Sequence, residues 1–170
     1  DGILHATLGT GTGSAIVNNS ANVSLEQASM FAGTWQVNQG GALTASNSNQ
    51  LGSAKIGVDG TLNLDNIALF NHVLTGNGTL NVAKNLATTA FDFGSTVGGA
   101  FSGIVNLTKT TFALSADNAA ALASATLKLS DDSVTTVGTT DRTLHGLDLS
   151  GGTLIFDGAV PQSQTSGVVT

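Results

Sequence analysis

The chain has no cysteine and no tyrosine, a single proline and a single tryptophan, and only 9% charged residues. Without cysteine it can build neither a disulfide framework nor a thiolate metal site. Its five basic residues, Lys55, Lys84, Lys109, Lys128 and Arg142, stand singly in a chain of formal charge −6. No basic patch is available to neutralise phosphates, so the expectation is no nucleic-acid partner. No apolar run approaches the ~20 residues of a membrane-spanning helix. Seven Phe, one Trp and no Tyr cannot supply the aromatic girdles of a membrane barrel. No signal-peptide pattern opens the sequence, and the expectation is a soluble segment of a longer array. Glycine is abundant, at 22 residues, but follows no triplet period, which excludes collagen. With 41% hydrophobic residues against so little charge, a packed core is expected rather than disorder.

What the chain does have is a recurring phrase. It reads GTWQV at Gly33 to Val37, GTLNL at Gly60 to Leu64, GTLNV at Gly78 to Val82 and GTLIF at Gly152 to Phe156, with starts 27, 18 and 74 residues apart. Apolar-any-apolar triplets fill much of the rest, among them Ile56/Val58, Val105/Leu107, Phe112/Leu114, Leu127/Leu129 and Leu147/Leu149. Alternation of this kind turns one set of side chains inward and the other outward. The runs are short and bounded by Asn, Asp and Gly, which tolerate the backbone of tight corners. Many short strands with variable spacing fit a parallel β-helix better than a sandwich or a closed barrel. Leu62 is expected to stack on Leu80 and Leu64 on Val82. The four phrase glycines are expected at equivalent corners. Ala116 to Ala125 has helical character, with Asp117 as a candidate cap.

These residues carry a family likeness. The stretch from Ala32 to Asn66 resembles the strand repeat of bacterial autotransporter passengers, and Leu74 to Lys84 resembles a further unit of it. Phe101 to Ser133 is similar to a unit common near the passenger's C-terminal end. Leu144 to Gly158 is similar to the unit of the autochaperone region just before the membrane barrel. The resemblance implies a right-handed parallel β-helix, displayed at the bacterial cell surface or secreted by the type V route in virulence-associated export. It implies four parts: residues 1–30 as an N-terminal edge coil or irregular segment, 31–100 as β-helix coils, 101–158 as autochaperone-like coils, and 159–170 as a tail. The implied partners are the rest of the passenger and its C-terminal membrane barrel, with a host surface or cytoskeletal protein, or a second copy, as alternatives. The C-terminal coils would fold first and template the others. The alternative role is that of an adhesin, binding through Asn/Thr ladders on a flat face.

Catalytic chemistry is hard to find. His5, His72 and His145 are far apart and lack partner motifs, and the expectation for each is a solvent-exposed or corner position. Ser and Asp are plentiful, but a triad is defined by geometry, and no nucleophile-elbow signature is present. Asp131 and Asp132 are expected to point to opposite faces of a strand, which makes them poor acid/base partners. Asp141 and Arg142 read as a solvated turn. The glycine cluster Gly9 to Gly13 is followed by neither the lysine nor the helix a phosphate loop requires. Trp35 is expected inward as a core filler. The reading is therefore a non-enzymatic chain with no catalytic, cofactor or metal residues.

Overall fold

A computed structural model describes residues 3–6, 8–84, 89–138, 140, 142–157 and 165–166. One sheet runs the length of the molecule. It holds eight strands, numbered here with all others in chain order: β1 (Ile3–Ala6), β4 (Asn22–Leu25), β7 (Ala42–Ala45), β9 (Thr61–Asp65), β12 (Thr79–Ala83), β14 (Ile104–Thr108), β16 (Thr126–Ser130) and β19 (Gly146–Leu149). Every neighbour in it pairs in parallel. Each strand therefore returns to the sheet one coil later, and the chain is a parallel β-solenoid of about 7 turns. Stacked residues are separated by as few as 18 residues, from Asn63 to Asn81, and by 25 from Asn81 to Asn106. Corners absorb the difference.

The second sheet of the first coils and that of the last coils are separate and lie on different sides. In the first coils the second sheet consists of β3 (Ser14–Val17), β6 (Thr34–Val37), β8 (Lys55–Val58) and β11 (Leu74–Thr75), which precede the turn back to the long sheet. In the last coils it consists of β15 (Thr111–Ala113), β17 (Val134–Val137) and β20 (Thr153–Phe156), which follow the long sheet directly. Two-residue pairs complete the remaining sides: β2 (Thr10–Gly11) with β5 (Met30–Phe31), β10 (Leu69–Phe70) with β13 (Asp92–Phe93), and β18 (Thr143–Leu144) with β21 (Thr165–Ser166). Phenylalanines fill the core where one second sheet gives way to the other. Phe70, Phe91 and Phe112 are fully buried; Phe91 stacks on Phe112 at 6.2 Å, and Phe93 meets Phe70, Phe91 and Phe112 edge-on. Aromatic pairs of this geometry add to the area they bury.

The expected ladders are present. Leu62 lies over Leu80 and Leu64 over Val82, all fully buried. The phrase glycines are not equivalent, which corrects the expectation from sequence. Gly60 and Gly78 precede β9 and β12 in the long sheet, on one column with Gly41 and Gly103. Gly33 precedes β6 in the second sheet of the first coils, and Gly152 precedes β20 in that of the last. Each phrase opens a strand, but on three different sides. At Gly60 and Gly78 the reason for glycine is close approach: an added Cβ would strike the carbonyl oxygen of Gly41 or of Gly60 in the coil before.

Residues 3–31 carry five strands in parallel register, β1 to β5. The helical stretch is shorter than read from sequence: α1 spans Ala116–Ala121. Its cap is Ser115, whose side chain accepts from the Asn118 N–H, while Asp117 lies in the first turn. Asn118 ties this helix to the rod. Its amide donates to Asp92 Oδ1 at 2.9 Å and accepts from the Phe93 N–H at 2.7 Å. Of the tail, only Thr165 and Ser166 fall within the described residues.

Candidate interaction face

The outer surface of the long sheet carries one row of aligned polar side chains. Register stacks Ser24, Thr44, Asn63, Asn81, Asn106, Lys128 and Asp148. The strands place them there because their neighbours, such as Leu62 and Leu64, are the inward residues of the same alternation. The amides hydrogen-bond along the rod. Asn63 Nδ2 donates to Thr44 Oγ1 at 3.2 Å, Asn81 Nδ2 to Asn63 Oδ1 at 3.0 Å, and Asn106 Nδ2 to Asn81 Oδ1 at 3.2 Å. Ser130 Oγ ends the chain by donating to Asn106 Oδ1 at 2.9 Å. Strands about 4.8 Å apart bring each amide within reach of the next. An amide has two donors and two lone pairs, so this ladder leaves hydrogen-bonding capacity directed outward.

Charged side chains stand at the two ends of this face and, between them, at Asp65 on the outer side of β9. His5 Nδ1 pairs with Glu26 Oε1 at 2.7 Å at the first coil, and Lys128 Nζ with Asp148 Oδ2 at 3.4 Å at the last. The Asp148 carboxyl is held below its usual range, first by the Ser150 hydroxyl and then by Lys128. Beside the row lie Thr61, Thr79 and Thr126, with exposed Ile104 among them. Where Ser24 and Thr44 stand in the row in place of the longer asparagines, with Ala42 beside them, the face is hollowed by about 280 Å³. The arrangement can accept and donate hydrogen bonds over a flat area. Among the described residues, the ion pairs on this face are the two at its ends.

The histidines do not converge. His5 and His145 are exposed, as expected. His72 lies at a corner, in the bend between β10 and β11, which is one of the two expected positions, but its side chain is buried rather than solvent-exposed. Its Nδ1 lies 3.1 Å from Ala54 O and its ring centroid 5.2 Å from that of Phe70. Burial lowers its pKa, partly offset by the carbonyls of Ala54 and Ser48. The signal was its place in the run Phe70–Leu74, where residues 70, 72 and 74 alternate inward. Asp131 and Asp132 occupy a turn, not a strand, each with positive φ, at 40° and 60°. Two consecutive left-handed residues form a tight corner that Asp tolerates better than most side chains. Arg142 Nε donates to Leu114 O at 3.3 Å, and Asp141 lies outside the described residues. Trp35 is inward, 3% exposed, edge-on to Phe31. Thr10 and Gly11 of the glycine cluster form β2. Among the described residues no group of three or more His, Asp or Glu side chains is placed to hold a metal ion.

The chain is similar to an uncharacterized lipoprotein, YdeK, of Escherichia coli K12: 27% identical over 158 residues, covering 86% of this chain and 12% of that protein. It is also similar to an uncharacterized protein of the same organism, YuaQ, at 42% identity over 93 residues, or 55% of this chain and 7% of the relative. The chain thus spans a small fraction of the length of either. No family model matches it, and no solved structure matches it significantly.

Proposed function

We propose that this chain is a stretch of a longer passenger-type β-solenoid in the bacterial cell envelope, displayed at the surface and without catalytic activity. One observation carries the reading: the parallel register is unbroken from β1 to β19, and the inward-register apolar residues Leu149 and Phe156 stand exposed on the last coils. Further coils stacked there would cover them. The length of the relatives and the lipoprotein name of one of them support an envelope rod of many coils. In this reading the last coils help the passenger to fold outside the membrane, each new coil pairing with the open edge of the one already formed.

A second reading, a binding module, is favoured by the amide ladder, which offers a row of aligned neutral hydrogen-bonding side chains. Its partner would be a host protein or a second copy. The two readings separate in cells expressing the full-length protein with an epitope tag inserted between Asp131 and Asp132. Antibody added to intact cells is expected to reach the tag, and failure to do so overturns surface display. Polar replacement of Leu147, Leu149, Leu154 and Phe156 together is expected to lower protease-resistant chain at the surface. Unchanged display would remove the folding role and leave binding as the better account.

A further inference from the structure

A cleft of about 450 Å³ opens on the side of the rod between the third, fourth and fifth coils. It exists because the third coil swells at its corner into a single 3-10 turn, Ser48–Leu51. A capping box holds that turn: Gln50 Oε1 accepts from the N–H groups of Ser46 and Asn47, and Asn47 Oδ1 accepts from Asn49 N. The opposite wall is equally fixed. Thr96 Oγ1 donates to Asn71 O at 2.9 Å, and Thr96 N donates to Asn71 Oδ1 at 3.2 Å. At the floor, His72 is tied to Ala54 O. A ligand would therefore enter a formed site, without the cost of ordering loops.

The chemistry of the lining is selective. Ser53, Asn49, Asn71 and Thr96, the last two already hydrogen-bonded to each other, line the cleft with hydroxyl and amide side chains, and Lys55 is the one cation among the lining residues. Leu69 and Val73, which are 52% and 40% exposed, give it two aliphatic patches. No carboxylate lines it among the described residues, in a chain whose acids outnumber its bases eleven to five. From this combination we infer that the cleft binds a carboxylated sugar, the acidic unit of a glycan. The sugar's C–H face covers Leu69 and Val73, its hydroxyls bond the Asn, Ser and Thr side chains, and its carboxylate pairs with Lys55. A neutral sugar would leave the ammonium unused, and a bare carboxylate would leave the hydroxyl and amide wall unused. A single ammonium matches the one negative charge of a carboxylate better than the nearly two of a phosphate monoester. This inference is independent of surface display and of the role of the last coils.

Titration of the isotopically labelled chain, followed through its backbone amides, tests it. Glucuronic acid and N-acetylneuraminic acid are the probes; glucose and sodium acetate are the controls for hydroxyls alone and charge alone. At least one acidic sugar is expected to give saturable shifts confined to residues 48–55, 69–73 and 96, with weaker effects from both controls. Lys55→Gln, at an exposed position, is expected to leave the remaining spectrum unchanged and to weaken the acidic sugar roughly tenfold, as for a lost charge-assisted hydrogen bond. Absence of saturation with both acidic sugars overturns the inference. So do equal shifts from acetate, or undiminished affinity in Lys55→Gln.

Discussion

Two columns of inward side chains can be followed from the middle of the rod to its last coil. In the long sheet, Ala45, Leu64, Val82, Leu107 and Leu129 are each fully buried, and the next residue in register, Leu149, is 41% exposed. On the side of β15, β17 and β20, Phe91, bridged to Phe112, and Phe112 itself are followed by Thr135 and then by half-buried Leu154. The alternating pattern is as regular at the end as in the middle; the burial is not. In a solenoid each coil is covered by its neighbours, so an inward pattern produces a core only where a further coil lies on top. The last coils also contain Ser133 Oγ and Thr135 Oγ1, buried side-chain oxygens with no hydrogen-bond partner among the described residues. The middle coils are closed and matched, and the last ones are open and carry two unmatched hydroxyls. A folding role for the last coils would have to rest on their position in the chain rather than on tighter packing.

The largest expected effect tests this contrast directly. Leu80→Asp puts a carboxylate into a fully buried ladder between Leu62 and Val105. Loss of more than about 4 kcal/mol, or outright unfolding, is expected. Leu149→Asp makes the same chemical change at the exposed end of the sheet and should cost less than about 1 kcal/mol. Urea unfolding of the two variants measures the difference. Similar losses would mean that the two regions are equally well packed, and the contrast would fail.

Much of this architecture could be read from residues alone. The Leu62–Leu80 and Leu64–Val82 ladders follow from two copies of one phrase 18 residues apart, because a short coil leaves little freedom in register. The side on which a phrase lies could not be read. Gly33 and Gly152 open strands just as Gly60 does, and alternation is blind to which sheet a strand joins. The members of the glycine column that were missed, Gly41 and Gly103, precede Ala-Leu and Ile-Val rather than Thr-Leu. What that column shares is close backbone approach, and threonine is incidental to it. The amide ladder was legible only in part. Asn63 and Asn81 hold the same place in their phrases, whereas Asn106 joins them across a coil of 25 residues whose length no motif announces. The cleft was not legible, since it depends on Thr96 lying against Asn71.

A smaller effect, of opposite sign, is expected from the unmatched hydroxyls. Thr135 follows Phe112 in register and is fully buried. Replacing it with valine keeps the branched shape and removes an oxygen that has no partner. Stabilisation of about 1–2 kcal/mol is expected. Thr110→Val is the matched control nearer the middle. There the oxygen lies 2.8 Å from Thr108 O and accepts from the Lys84 N–H at 3.2 Å. Its removal orphans a buried donor and should destabilise by about 1–3 kcal/mol. Melting curves that moved in the same direction for both variants would show that Thr135 is satisfied after all.

The smallest expected effect separates the two regions by pH. His72, in the fourth coil, has its pKa lowered by burial. Below the ordinary imidazole value of 6.5 the unfolded chain takes up a proton there more readily than the folded one. Its contribution to stability is complete above 6.5 and is lost as pH falls through the folded value. Asp148, in the last coil, is also lowered, by Ser150 and then Lys128. Its contribution is complete above the ordinary carboxylate value and fades only as pH drops below 3.8 toward the folded value. Mild acid should therefore loosen the middle of the rod first, although the middle is better packed. Hydrogen exchange of individual amides reads this locally, which suits a fold stabilised coil by coil. Between pH 7.5 and 5, after correction for intrinsic exchange, protection is expected to fall at Ile56 and Leu74, near His72, and to hold at Lys128 and Leu147. In His72→Asn, which keeps a short side-chain donor for Ala54 O, the acid-dependent loss at Ile56 and Leu74 should disappear. Protection there that is already constant in the parent chain would mean that burial does not hold the His72 ring neutral, and the two regions would then differ in packing alone.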